Sequence, residues 1–221
     1  MIRRGLYSVL MFIGLGSALA QAGQQHWAFE VFLDDRAIGE QHFTVRPEAD
    51  TLWVDIQARF GVGFLFFNAY DYQHRNTERW RGNCLETLEA ETDDNGTRYR
   101  LRGSRRDDGF HLEVNGEPSL LPACVMSFAY WNPAILNQSA LLNTQDGRLM
   151  PVRVATLGEE TIRVNDEPVA AERFRLEAED LTIDLWYARE DRRWLRLESL
   201  VEGNRLRFHL REHDGRVAAL P

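Results

Sequence analysis

Aromatic side chains are the residues of this chain best suited to hold a ligand, and they are concentrated in two stretches. The first extends from Phe60 to Trp80, and the second is the segment 127–133, which ends in Asn132-Pro133. Rings that line a hollow can enclose an apolar or amphipathic molecule such as a lipid, whereas the same rings can also form an ordinary core. Under the first interpretation, the predicted ligand-binding residues are Trp53, Phe64, Phe66, Tyr70, Tyr130 and Trp131.

The sequence offers little for catalysis or metal binding. It contains no G-x-S-x-G, H-E-x-x-H or P-loop motif, so we predict no catalytic residue and do not favour an enzymatic activity. His26, Glu30, Glu40 and His42 share one face if the first two strands pair as a hairpin, and two imidazoles with a carboxylate can hold zinc. Such cross-strand side chains are usually solvated surface groups, so we predict no metal and no cofactor.

Alternation of apolar and polar residues assigns these side chains to strands. Leu52, Val54 and Ile56, for example, alternate with residues of another character, which is typical of a strand with one buried face. Similar segments recur along the chain and are separated by turn sequences such as Asn95-Gly96 and Asn115-Gly116. The pattern predicts an all-β fold of about 10–12 strands in a single strongly curved antiparallel meander, either a half-barrel or a barrel. A two-sheet sandwich is the alternative.

Three tryptophans fall outside the apolar rows of their strands. Trp53, Trp186 and Trp194 are predicted to lie on faces opposite the aliphatic residues. Aromatic residues on a second face are harder to explain as core, which modestly favours ligand binding.

The segment 122–142 interrupts the strand pattern because its apolar residues do not alternate. Asn132-Pro133 can begin a short helix, since proline is tolerated in the first turn. We therefore expect a short helix or an ordered plug at one end of the barrel or within its concavity. Cys84 and Cys124 are the two cysteines of the chain, and an oxidising compartment favours a disulfide between them over two separate thiols.

The first 22 residues have the layout of a secretory signal peptide. Arg3 and Arg4 precede an apolar run that is too short to span a bilayer comfortably, and small residues follow it up to Ala22. Cleavage near Ala22 leaves residues 23–221 as one β-rich domain without a transmembrane segment, in the bacterial periplasm or secreted. Loss of the two arginines changes the formal net charge from −8 to −10, which argues against nucleic acid as a partner.

Short segments near both ends of the chain resemble exported bacterial families of unknown function. Phe29–Gly39 matches their opening strand, acidic turn and apolar-Gly pair, and Leu185-Trp186-Tyr187 followed by Arg193-Trp194-Leu195 matches their closing strands. The resemblance implies a strongly curved antiparallel sheet similar to the half-barrel of periplasmic lipoprotein carriers. It implies no activity and no catalytic residue.

These observations predict an exported, non-enzymatic protein that binds an apolar or amphipathic ligand, such as a lipid, in the concavity of a curved sheet. One alternative is an envelope structural or assembly protein that docks an unidentified protein partner through an edge strand or the segment 122–142. The other is a hydrolase of envelope glycans, which would need two carboxylates facing each other across a cleft.

Overall fold

The computed structural model describes residues 23–64, 67–179, 181–201 and 203–214, so the predicted signal peptide lies outside the described residues. Within these ranges the chain forms strands and one 3-10 helix, Pro133–Asn137. The strands are β1 (Gln25–Leu33), β2 (Arg36–Glu48), β3 (Thr51–Phe64), β4 (Phe67–Arg81), β5 (Cys84–Asp94), β6 (Thr97–Arg106), β7 (Gly109–Val114), β8 (Glu117–Leu121), β9 (Ala140–Leu142), β10 (Leu149–Pro151), β11 (Arg153–Val164), β12 (Glu167–Ala178), β13 (Leu181–Ala188), β14 (Trp194–Val201) and β15 (Asn204–Asp214). No helix of the described residues has the length and apolar character that crossing a bilayer requires.

One sheet contains 13 of the strands in the order β11-β12-β13-β14-β15-β1-β2-β3-β4-β5-β6-β7-β8. The predicted all-β fold with one large, curved antiparallel sheet is confirmed, and the sheet is not closed. Its strands do not follow chain order throughout, because β1 pairs with β15. Two meanders, β1–β8 and β11–β15, are joined by this pairing, and β8 and β11 form the two edges.

The predicted hairpin turns are present. Asn95 and Gly96 have φ angles of 50° and 93°, and Asn115 and Gly116 have φ angles of 51° and 93°. Positive φ at both central residues is the geometry of the tight turn whose twist matches that of the strands it connects.

The chain fills the concave side of its own sheet with residues 122–152, which we call the plug. The plug leaves the sheet after β8, contains the 3-10 helix and the β9–β10 pair, and returns to the sheet at β11. Its buried apolar residues are Val125, Met126, Ala129, Trp131, Ile135, Leu141, Leu142, Met150 and Val152. They belong to the same core as the inner face of the sheet. The predicted helix start is confirmed, because the side chain of Asn132 accepts a hydrogen bond from the backbone N–H of Ala134 at 3.0 Å.

A disulfide anchors the plug, as predicted. Cys84 at the start of β5 is bonded to Cys124, with Cα atoms 4.9 Å apart, and the backbone N–H of Leu85 donates to the carbonyl of Val125 at 2.9 Å. We call this end of the sheet the disulfide end. The opposite end, which contains the β5–β6 turn at Asn95, is the distal end.

Gly39 lies where the backbones of β2 and β3 approach closely. Its φ is 154°, and a Cβ atom there would overlap the carbonyl oxygen of Arg59. We therefore expect Gly39→Ala to lower the free energy of unfolding by about 1–3 kcal/mol, measured by urea denaturation. Gly61 in β3 is the matched control, because a Cβ there meets nothing within 4 Å. Similar losses in Gly39→Ala and Gly61→Ala would contradict this explanation.

Candidate functional site

Strand β4 carries an unusual row of side chains on its inner face. Because side chains alternate along a strand, Tyr72, His74, Asn76, Glu78 and Trp80 all point towards the plug. All five are buried, and Glu78 and Trp80 are fully inaccessible to solvent. Three of the five, His74, Asn76 and Glu78, are groups that proteins seldom bury without partners. We call these five residues the polar row.

The polar row forms much of its hydrogen bonding within itself. The Asn76 side-chain amide donates to Glu78 Oε1 at 2.8 Å, and Trp80 Nε1 donates to Glu78 Oε2 at 2.8 Å. Asn76 also donates to the hydroxyl of Thr144 in the plug at 3.2 Å, and the rings of Trp80 and Trp131 meet edge to face at 5.6 Å. The row is therefore the surface on which the plug packs.

Two buried atoms of this interface lack a hydrogen-bond partner. They are Asn76 Oδ1 and Trp131 Nε1. Hydrogen bonding is therefore incomplete where the plug meets the polar row, and each unpaired buried atom costs free energy of folding.

Burial controls the protonation of His74 and Glu78 in the row. It lowers the pKa of His74 to about 4, so this imidazole is neutral at pH 7 and its Nδ1 lies 2.9 Å from the Thr92 hydroxyl. Burial also raises the pKa of Glu78, while hydrogen bonds from Asn76, Ser127 and Trp80 act in the opposite direction. The row therefore holds neutral His74 in an environment that disfavours charge.

An aromatic cluster continues the row towards the distal end. The ring of Phe60 stacks on Tyr72 with centroids 5.3 Å apart and meets Phe208 edge to face at 6.1 Å. Tyr70 donates from its hydroxyl to Asp94 Oδ1 at 2.8 Å. The cluster combines apolar ring surface with exposed hydrogen-bonding groups.

Tyr130 of the plug lies close to this cluster. Burial raises the pKa of Tyr72, and the neighbouring Tyr70, Asp94 and Tyr130 raise it further. The backbone carbonyl of Tyr130 accepts a hydrogen bond from the Tyr187 hydroxyl at 2.8 Å. The structure therefore brings two predicted ligand-binding residues, Tyr70 and Tyr130, to the surroundings of Tyr72.

Apolar residues at the distal end of the inner face are only partly covered. Leu33 lies directly opposite Leu206 in the β1–β15 pair, Val62 is near the end of β3, and Leu181 is the first residue of β13. All four pack against the core yet retain solvent exposure. Together with Phe60 they form what we call the apolar rim.

Two other predicted ligand-binding residues, Trp131 and Trp53, lie elsewhere. Trp131 is inside the core, with 6% of its surface exposed. Trp53 is on the outer face, where the Arg79 guanidinium lies 5.6 Å from its ring centroid. Phe66 lies outside the described residues, and the side chain of Phe64 is likewise not described. The four described members of the predicted set therefore do not form one site.

The tryptophan faces were predicted correctly at two of three positions. Trp53 and Trp186 are on the outer face, and the ring of Trp186 packs against the guanidinium of Arg173 at 4.8 Å. The prediction for Trp194 is wrong, since its ring contacts Phe29 on the inner face at 4.2 Å. A register shift between Trp186 and Tyr187 in the β13–β14 pair explains the reversal.

The first hairpin has the predicted register, with Glu30 opposite Glu40 and Ala28 opposite His42. The rings of His26 and His42 lie 5.7 Å apart on the outer face. Among the described residues, no group of three or more His, Cys, Asp or Glu side chains is arranged to hold a metal ion.

The family model of DUF6134, a domain of unknown function, matches residues 29–211. The chain belongs to this family. The match extends from β1 to β15 and therefore includes both meanders and the plug. None of the curated proteins compared with the chain matches it.

A solved structure supports the architecture of this DUF6134 protein. The crystal structure of a beta-barrel-like protein of the domain of unknown function DUF1849 from Brucella abortus is similar, with a TM-score of 0.62 at 10% sequence identity. The similarity covers 88% of this chain and 98% of that chain. At this identity the likeness concerns the fold alone.

Proposed function

We propose that this protein is exported and binds an apolar or amphipathic ligand, such as a lipid, at the distal end of its inner face. The observation that carries the proposal is the partial exposure of Leu33, Phe60, Val62, Leu181 and Leu206 in the apolar rim. Covering apolar surface is favourable by about 25 cal/mol per Å², so an apolar chain that covers the rim gains free energy.

The aromatic cluster supports the amphipathic part of the proposal. Tyr70 and Asp94 place polar atoms beside the rings of Phe60 and Tyr72. Ligand sites commonly combine apolar walls with a few polar groups that orient the ligand. Because the plug occupies the concavity nearer the disulfide end, the proposed ligand lies above the plug, next to Tyr130.

A fluorescent fatty acid tests the proposal. We expect dansylundecanoic acid to bind the purified protein, and Leu206→Glu to weaken binding by about tenfold or more, since a fully buried leucine contributes about 1.5–3 kcal/mol. Leu120→Glu is the matched control, because Leu120 on the edge strand β8 is 57% exposed and remote from the rim. Absence of binding, or equal affinities of the two variants, would overturn the proposal.

Native mass spectrometry of protein purified from its host provides an independent measurement. We expect a bound mass that organic extraction removes. A clean mass of the polypeptide alone would count against a resident ligand.

Export is part of the proposal, with a periplasmic or secreted location. The signal-like sequence ending near Ala22 and the Cys84–Cys124 disulfide both support it, because disulfides persist in oxidising compartments. Cell fractionation with mass analysis of the N-terminus is the test. An uncleaved cytoplasmic protein would contradict it.

Two alternatives receive less support. Both sheet edges discourage strand pairing, since β8 contains Pro118 and β11 has a register shift beside Gly158. The two buried carboxylates of the described residues, Glu78 and Asp184, are on opposite faces of the sheet, each bonded to its own partners. A glycosidase needs two acids that face one cleft.

A further inference from the structure

A cleft of 680 Å³ is lined mainly by residues of the outer face of the sheet, and it also touches Phe60 and Tyr70 at the distal end. It spans β15 and β1–β4, and small residues including Ala28, Ala37 and Gly61 line it. A Cβ atom added at Gly61 would meet nothing within 4 Å, so the space above this residue is open. The volume lies within the range of about 300–1,000 Å³ that is common for small-molecule sites.

Most of the ionisable side chains of the cleft already have partners. Glu30 is paired with Arg211, and Glu40, which lies directly opposite Arg59 in the β2–β3 pair, is 3.4 Å from His42. The other two charged residues of the cleft are Arg59 and Asp71.

Arg59 and Asp71 flank the open space at Gly61. Asp71 on β4 is directly opposite Gly61, and Arg59 precedes Gly61 by two residues on the same face of β3. Neither side chain has an ion pair or a hydrogen bond within the described part of the chain. Diagonal neighbours of this kind have Cα atoms about 7–8 Å apart, so a cation and an anion stand at the two sides of an unfilled gap.

We propose that this cleft binds a small zwitterion with the dimensions of a dipeptide. The Arg59 guanidinium receives the carboxylate, because its planar fork matches a carboxylate in two parallel hydrogen bonds. The Asp71 carboxylate receives the ammonium group. Two residues of extended chain span about 7 Å, which is comparable to the Cα separation expected for Arg59 and Asp71. The zwitterionic headgroup phosphoethanolamine shares this chemistry.

Calorimetric titration with Ala-Ala tests the assignment. We expect Ala-Ala to bind, and N-acetyl-Ala-Ala and Ala-Ala amide, which each lack one charge, to bind at least about tenfold more weakly. A parallel titration with phosphoethanolamine distinguishes a dipeptide ligand from a zwitterionic headgroup. Binding of phosphoethanolamine in place of Ala-Ala, with the same dependence on Arg59 and Asp71, supports the zwitterion site and identifies a headgroup. If neither Ala-Ala nor phosphoethanolamine gives a heat of binding, the proposal is wrong.

Three variants locate the site. Arg59→Gln and Asp71→Asn each remove one charge, and Gly61→Val adds a side chain where a Cβ atom would meet nothing within 4 Å. All three should weaken zwitterion binding by about tenfold or more. Arg102→Gln, on the outer face of β6, is the matched control and should bind normally. Unchanged affinity in all three cleft variants would overturn the proposal. Arg59 and Asp71 are not part of the apolar rim, so Arg59→Gln and Asp71→Asn should leave the binding of dansylundecanoic acid unchanged, and the two proposals can fail independently.

Discussion

Replacing Trp131 by alanine is expected to lower the free energy of unfolding by about 3–5 kcal/mol. Trp131 is 6% exposed and packs edge to face on the fully buried Trp80, so its removal leaves a cavity between the plug and β4. Trp53→Ala is the contrasting variant, because Trp53 is on the outer face beside Arg79 and its removal should cost about 0.5–1 kcal/mol. Urea unfolding of both variants measures the difference.

Trp131→Phe separates loss of volume from loss of the indole N–H. Since Trp131 Nε1 is buried without a hydrogen-bond partner, phenylalanine removes an unsatisfied donor and retains an aromatic ring against Trp80. Its cost should therefore stay below about 1.5 kcal/mol. Equal destabilisation by Trp53→Ala and Trp131→Ala would show that the plug is not part of the core.

The sheet was predictable because its signals are local. Alternation in segments such as Leu52–Phe60 and the turns at Asn95 and Asn115 each depend on a few neighbouring residues. The β1–β15 pair was not predicted, since the complementarity of Leu33 with Leu206 involves residues far apart in the chain. The division into two meanders and the pairing that joins them could therefore not be predicted from the sequence.

The polar row shows why the candidate site was harder to predict. Alternation alone places Tyr72, His74, Asn76 and Glu78 on one face, but the opposite face of β4 carries arginines such as Arg75. Two polar faces offer no hydrophobic contrast, so the sequence does not indicate which face is buried. The plug, with its own hydrogen-bonding groups, determines which face of β4 is buried.

Trp194 and Trp131 illustrate two further limits. A register shift reverses the face of Trp194, and such bulges leave little trace in the sequence pattern. Trp131 was placed in the correct ordered segment, but sequence does not distinguish a ring that lines a cavity from one that fills it. The distinction depends on packing across the sheet.

Acidification from pH 7 to pH 4 is expected to lower the free energy of unfolding by about 3 kcal/mol through His74 alone. Its pKa falls from the ordinary value of 6.5 to about 4 in the folded protein, because the imidazole is buried. Between these values the unfolded chain binds a proton that the folded chain does not. The stabilisation is therefore fully present above pH 6.5 and is lost as the pH falls towards 4, at about 1.4 kcal/mol per pH unit.

Urea unfolding of the wild type and His74→Gln between pH 4 and pH 7 measures this effect. Glutamine does not titrate and retains a polar group for Thr92, so the pH dependence of the variant should be smaller by about 3 kcal/mol. Glu78, with its pKa raised by burial, contributes stability below its unfolded pKa that is lost as the pH rises. This contribution has the opposite sign and is common to both proteins.

His42→Gln on the outer face is the control and should follow the wild type. Parallel curves for the wild type and His74→Gln would mean that the folded protein accepts the proton on His74, and that the polar row is more open to water than its packing implies.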